Sequence, residues 1–220
     1  MRASGALLRP KASARRRLQP DARREQIVAA AIGLITEQGL AFSTRELARR
    51  LSISHPLLFR YFVSREEIID TVYDEVFMGR YTSELRSMVS EDRVDVTEKW
   101  TQFYVAYFPR VYDETWIRIF AASVFNNETI SLRYLNNVVQ PLIERLATDT
   151  ERYALGAASK DRQVRELSRE LAWMLHSSVF YTGVRRWIYQ LPVPRDIAAY
   201  VPARVRAHFA GAKAAFREHL

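Results

Sequence analysis

The sequence predicts an all-α fold of about nine helices: a three-helix head near the amino end, then a larger helical body. Three observations predict it. Apolar residues recur at helical spacing from residue 20 onward, and no segment alternates as a half-buried strand would. A third is punctuation, with hydroxyl or carboxylate caps, glycines and prolines falling between the periodic segments. The 220 residues are 48% hydrophobic, enough to bury a real core. Cysteine is absent, which excludes disulfides, thiolate-held metals and thiol catalysis. A reducing cytoplasm fits that usage. No apolar run approaches the roughly 20 residues that cross a bilayer, so no membrane partner is expected.

The organisation reads as residues 1–20, a basic and disordered arm; 21–66, the head; and 67–220, the body. Leu7-Leu8 is too short for the apolar centre of a secretory signal. In the head, Ile27, Ala30, Ala31, Leu34 and Ile35 line one helix that stops at Gly39. A short second helix opens at Ser43-Thr44, where either hydroxyl can cap it and Glu46 completes a capping box. Its inner face is Leu47, Ala48 and Leu51. After the turn Ser52-Ile53-Ser54, a third helix starts with Ser54 as cap and Pro56 in its first turn, and ends at Phe62. Ser64-Arg65-Glu66-Glu67 opens a long fourth helix, about Arg65 to Met88.

The body reads as further helices at about Val96–Phe108, Glu114–Phe125, Ser131–Arg152 with a kink at Pro141, Asp161–Tyr189 and Arg195–Arg217. Pro192 and Pro194 mark the joint before the last one.

Charge is distributed unevenly. Residues 1–65 hold 13 Lys/Arg against 4 Asp/Glu, whereas residues 66–220 hold 20 against 21. A head of net +9 on a body of net −1 marks a polyanion-binding module. Two short helices joined by a tight turn suit one polyanion: the first spans phosphates while the second enters the major groove of duplex DNA. The geometry needs a small residue at the crossing, an apolar residue in the turn and polar groups on the second helix. Ala48, Ile53, and His55 with Arg60 supply them.

Thr44-Arg45-Glu46-Leu47-Ala48, Leu51-Ser52-Ile53-Ser54, Leu57-Leu58-Phe59-Arg60-Tyr61-Phe62 and Ser64-Arg65-Glu66-Glu67-Ile68 resemble the DNA-binding region of the TetR family of regulators. The resemblance spans roughly residues 22–69. It departs from the family at Ser52, where glycine is usual, and at Phe59, where a tyrosine hydroxyl is lost. It implies a homodimeric repressor that binds a palindromic operator and is released by a small apolar or amphipathic molecule. Thr44, Arg45, Tyr61 and Arg65 would hold phosphates, while Ser54, His55, Pro56, Leu57 and Arg60 would face bases or the groove wall. Leu58 and Phe62 belong to the core. Arg15, Arg16 and Arg17 are candidates for a minor-groove arm.

Aromatic residues crowd the body at helical spacing, as a core does and as an apolar pocket does. Candidate ligand contacts are Tyr104, Tyr107, Trp116, Phe120, Asn127, Trp173, His176 and Phe180, with Asn126, Asn137 and Arg118 as further polar groups. Small residues on the last two helices (Ser177, Ser178, Gly183, Ala207, Ala210, Ala214) allow close helix approach, and the resemblance implies that this pair forms the two-fold dimer contact. One rival reading is an architectural or RNA-binding basic protein; another is an all-α metal-dependent synthase built on Glu66, Glu67, Asp70, Asp74 and Glu75. Paired aspartates at the needed spacing are absent, and those acids read as a solvated helix face. The four histidines show no ligand spacing. No catalytic residues, metal or cofactor are expected.

Overall fold

The computed structural model describes residues 19–125 and 129–219, and among them the secondary structure is helical throughout, without strands. The basic arm and the Asn126 and Asn127 calls lie outside the described residues. The head comprises α1 (Pro20–Gln38), α2 (Thr44–Arg50) and α3 (His55–Leu58). α1 stops where Gly39 takes φ 77°, a conformation glycine adopts without steric cost. Three serines start the next helices by one local device. Ser43 Oγ accepts from the Glu46 N–H, Ser54 Oγ from the Leu57 N–H and Ser64 Oγ from the Glu67 N–H. α3 is shorter than expected. Its helix ends at Leu58, and hydrogen-bonded turns carry the chain on to Phe62.

The fourth helix is not continuous. α4 (Arg65–Val76) ends in a short 3-10 turn over Met78–Arg80, and α5 (Ser83–Ser90) restarts with Thr82 as its cap. Leu85 is fully buried on α5, so the apolar stripe survives the break and concealed it in the sequence. The expected 66/67 domain boundary also falls inside α4, and the core runs unbroken from Ile27 in the head to Phe209 near the carboxyl end.

The body continues with α6 (Val96–Val111) and α7 (Glu114–Phe125), then α8 (Thr129–Tyr134) and α9 (Gln140–Leu155). Between α8 and α9 the chain widens into a π-turn at Leu135–Val139. The cause is Pro141, which has no N–H for the carbonyl four residues back and whose ring crowds it. α10 (Arg162–Gly183), capped by Asp161, ends in a second π-turn at Val184–Ile188, and α11 (Val201–His219) closes the chain. α10 packs on both α9 and α11, and α7 packs on α1 and on the Gly39–Ala41 turn.

At the α2–α3 turn Ser52 sits at φ 51°. For a residue with a Cβ that region costs roughly 1–2 kcal/mol. Ser52→Gly is therefore expected to raise the unfolding midpoint, with a net gain of about 1 kcal/mol once the added freedom of the unfolded chain is subtracted. Thermal denaturation of the two proteins side by side measures it.

Candidate DNA-binding head and ligand cavity

The head exposes a basic edge around α2 and α3. Leu47, Leu58 and Phe62 are buried beside Leu34, and Leu51 and Ile53 pack half-buried against them. Ala48 is buried where the two helices cross, so a larger side chain there would push them apart. With that inner face fixed, Arg45, Arg49, Ser54, Pro56 and Arg60 are left exposed, and Leu57 and Tyr61 half-exposed. The Arg45, Arg49 and Arg60 side chains form no ion pair among the described residues.

Two expected contacts prove to be joined. Thr44 Oγ1 and His55 Nε2 lie 2.9 Å apart, bridging the start of α2 to the start of α3. The His55 ring also stands edge-on to Phe59 at 4.9 Å. Arg65 is placed differently from expectation. Its guanidinium turns inward, donating to the Leu40 and Phe42 carbonyls and covering the Phe42 ring. It ties α4 to the Gly39–Ala41 turn.

Arg24 went unnoticed in the sequence. It donates to the Tyr61 carbonyl at 2.5 Å, pairs with Glu67 at 2.9 Å and lies 4.0 Å over the Phe62 ring. It thereby fixes α1 to the segment that follows α3. Only its sequence distance from those partners hid it.

The body holds a cavity of 280 Å³ between α7, α10 and the Leu135–Val139 turn. Of the expected ligand contacts, Trp116, Phe120, Trp173, His176 and Phe180 line it; Tyr104 and Tyr107 do not. Those two are fully buried behind the wall, where they support it. Tyr112, Val124, Leu135, Val139 and Ser177 complete the lining and were not among the expected ligand contacts, because helical spacing gives no sign of which gap a residue borders. Asn137 is exposed and Arg118 pairs with Glu114, so neither reaches the cavity.

Behind the wall runs a chain of hydrogen bonds. Tyr107 Oη lies 2.8 Å from Tyr134 Oη and donates to Tyr112 Oη at 3.4 Å. Tyr112 Oη is 3.2 Å from His176 Nε2, and Tyr104 Oη is 3.3 Å from His176 Nδ1. His176 thus joins Tyr112 and Tyr104 through its two ring nitrogens. Burial holds all four phenols well above the usual tyrosine range.

Burial also lowers His176 and His208 from 6.5 to about 4, so both rings are neutral in the folded protein. Between those two values the unfolded chain binds protons that the native state refuses. The contribution is intact above about pH 6.5 and is lost as pH falls toward about 4. The urea midpoint is thus expected to drop steeply between about pH 7 and about pH 4.5. His176→Gln should flatten that slope.

On α11, Ala203, Ala207, Ala210, Gly211 and Ala214 are exposed, while Val205, Phe209, Ala212 and Phe216 face inward. On α10, Met174, Ser177, Ser178 and Tyr181 are exposed beside them. Gly183 does not share this face as expected. It is buried, and a Cβ there would come within 2.9 Å of Ile117 Cδ1, so its smallness serves the α10–α7 contact.

Residues 27–72 match the family model for bacterial regulatory proteins of the tetR family. No curated protein matches the sequence. Among solved structures, a TetR-like transcriptional regulator from Rhodococcus sp. RHA1 is similar at TM-score 0.62 and 17% identity, covering 89% of this chain and 100% of that one. The ketosteroid transcriptional regulator KstR2 of Mycobacterium tuberculosis aligns at TM-score 0.61 and 16% identity, covering 86% and 94%. The fatty acid degradation regulator FadR from Bacillus halodurans gives TM-score 0.59 and 20% identity, covering 86% and 95%. At such identities the likeness shows a common fold.

Proposed function

From the premise that this chain belongs to the tetR family of bacterial regulatory proteins, with its DNA-binding domain over residues 27–72, we propose that it is a homodimeric repressor of transcription, released from a palindromic operator by a small apolar molecule. The observation that carries the DNA reading is the exposed edge of Arg45, Arg49 and Arg60 beside His55, held on a helix-turn-helix whose inner face is buried. No helix of the described residues is long and apolar enough to cross a membrane.

Arg45 and Thr44 meet phosphates at the start of α2, and Tyr61 meets a phosphate beyond α3. Ser54, His55, Pro56, Leu57 and Arg60 face the major groove. Arg65 positions the turn that carries α2. One short α3 gives too little discrimination, so two copies related by a two-fold axis read successive grooves. The exposed faces of α10 and α11 form that contact.

The effector enters the 280 Å³ cavity. α7 lines the cavity through Trp116, Phe120 and Val124, and it also packs on α1 and the Gly39–Ala41 turn, so it is the direct relay to the head. A ligand that favours the body conformation with wrongly spaced heads shifts the population away from DNA. The two relatives named for fatty acids and a ketosteroid are consistent with an apolar effector.

The test is selection of binding sites from random duplexes, followed by affinity and salt-dependence measurements. A palindrome bound at least roughly 10³-fold tighter than random duplex is expected. Uniform, salt-labile binding to every duplex would end the reading. Arg60→Ala should relax discrimination at one base pair at a cost of roughly 1–3 kcal/mol. Thr44→Ala should weaken all sequences alike, and a sequence-selective loss would show that Thr44 acts on bases through His55.

A further inference from the structure

The outer stripe of α10 is complementary to itself about its own centre. We propose that α10 pairs antiparallel with α10 of a second copy about a two-fold axis between Ser177 and Ser178, with Glu170 of each copy on Arg185 of the other. The inference rests on the homodimer reading above and fixes its register and its choice of mate.

Three observations support it. The first is a stripe on one side of the helix. Residues three and four apart share a face, and Glu170, Met174, Ser177, Ser178 and Tyr181 are all exposed, with Arg185 half-buried at the end of the row. Ala172, Leu175, Val179 and Thr182 are buried on the opposite side. Two large side chains on the stripe, Met174 at 58% exposure and Tyr181 at 50%, have no cover in the single chain.

The second observation is the order of groups along the stripe. Two serines stand in the middle, a large side chain lies to each side, and one charge lies beyond each of those. The acid is toward the start of α10 and the base toward its end. Met174 and Tyr181 are equally far from the midpoint between the serines, and so are Glu170 and Arg185. A two-fold axis crossing the helix at that midpoint runs the mate antiparallel, and residue i meets j while j meets i. Met174 then covers Tyr181 of the mate, and the charges meet as opposites, twice. The serines at the crossing let the two backbones approach closely.

The third observation is that both charges are unused in the single chain. Elsewhere on α10, Arg162 pairs with Glu166 and Arg169 with Glu144. Glu170 pairs with no cation among the described residues, while Arg185 donates to the Pro192 carbonyl at 3.2 Å and meets no carboxylate among them. Arg185 also stands beside Arg204, which donates to the Ser178 carbonyl and to Thr182 Oγ1. Burial, and then the Arg185 charge, hold the Arg204 guanidinium below its usual range. A carboxylate from the mate relieves that repulsion. The pairing also acts as a code, since a chain of the same fold with other charges at these positions is refused. Ser177 borders the cavity too, so this register sets the two effector sites beside the axis.

Sedimentation of the full chain tests the register by charge reversal. Glu170→Arg and Arg185→Glu should each weaken the dimer by at least roughly tenfold, because like charges then face each other twice. Both changes in one chain should return the affinity to within about threefold of wild type, since the pairs are restored with their signs exchanged. An equimolar mixture of the two single variants should form a heterodimer tighter than either homodimer, because both of its pairs are again opposite in sign. Single variants that dimerise as tightly as wild type overturn the register, and so does a double variant or a mixture that fails to recover. If Ala210→Glu gives a monomer while charge reversal changes nothing, the α10–α11 dimer survives and the register falls. A wild-type chain that is monomeric at micromolar concentration removes both. A rescued dimer that ignores the operator sinks the repressor reading and spares this inference.

Discussion

Replacing Ala210 by glutamate is expected to produce a folded monomer that has lost its operator. Ala210 lies on the outer face of α11 with Ala203, Ala207 and Ala214, all exposed and all small, while Val205, Phe209 and Ala212 anchor the opposite face. In the single chain a carboxylate at Ala210 meets only water, so its effect on stability should stay within about 0.5 kcal/mol. In a two-fold dimer the same substitution appears twice near the axis. Two carboxylates then lose solvent and repel, at a cost of several kcal/mol. Without its mate each head holds one half-site, and operator affinity should fall by roughly 10²-fold or more. Sedimentation gives the mass and fluorescence anisotropy the affinity. A variant that remains a dimer at micromolar concentration would place the interface elsewhere on the body.

The second large effect concerns stability. Asp149 is buried and accepts from the Lys99 ammonium at 2.7 Å, the Trp100 indole at 3.0 Å and Arg145 Nε at 3.2 Å. Lys99 is itself only 4% exposed, and its other carboxylate, Asp92, lies 3.6 Å away. Asp149→Ala leaves a buried ammonium and a buried indole N–H with too few acceptors, and the expected loss is about 3–5 kcal/mol. For a fold worth about 5–15 kcal/mol that is a large share. The denaturant midpoint should fall sharply, with little change in slope. Because the pair joins α6 to α9, away from α2 and α3, protein kept folded in the cold should still bind operator. Replacing Lys99 and Asp149 together by methionine and leucine should restore much of the loss, since neither charge is then stranded.

The reach of sequence reasoning follows the range of the forces involved. Ser43, Ser54 and Ser64 were legible as caps, and Gly39 as a stop, because each bonds or bends within three or four residues of itself. The buried stripes of α1, α2 and α4 follow from periodicity alone. The break at residues 77–82 was written locally too, in Gly79 and the Thr82 cap, but an apolar stripe continuing to Leu85 outweighed those signals.

What tertiary structure alone decided is where distant segments meet. The Leu40 and Phe42 carbonyls, more than twenty residues away in sequence, meet the Arg65 guanidinium. Gly183 looked like an outer-face residue until Ile117 closed on it. Tyr104 and Tyr107 carry the same aromatic signal as Trp116 and Phe120, yet only the latter pair borders the cavity. A cavity is a gap between helices, fixed by how their side chains interlock, and no residue's chemistry or spacing encodes on which side of a wall it will stand.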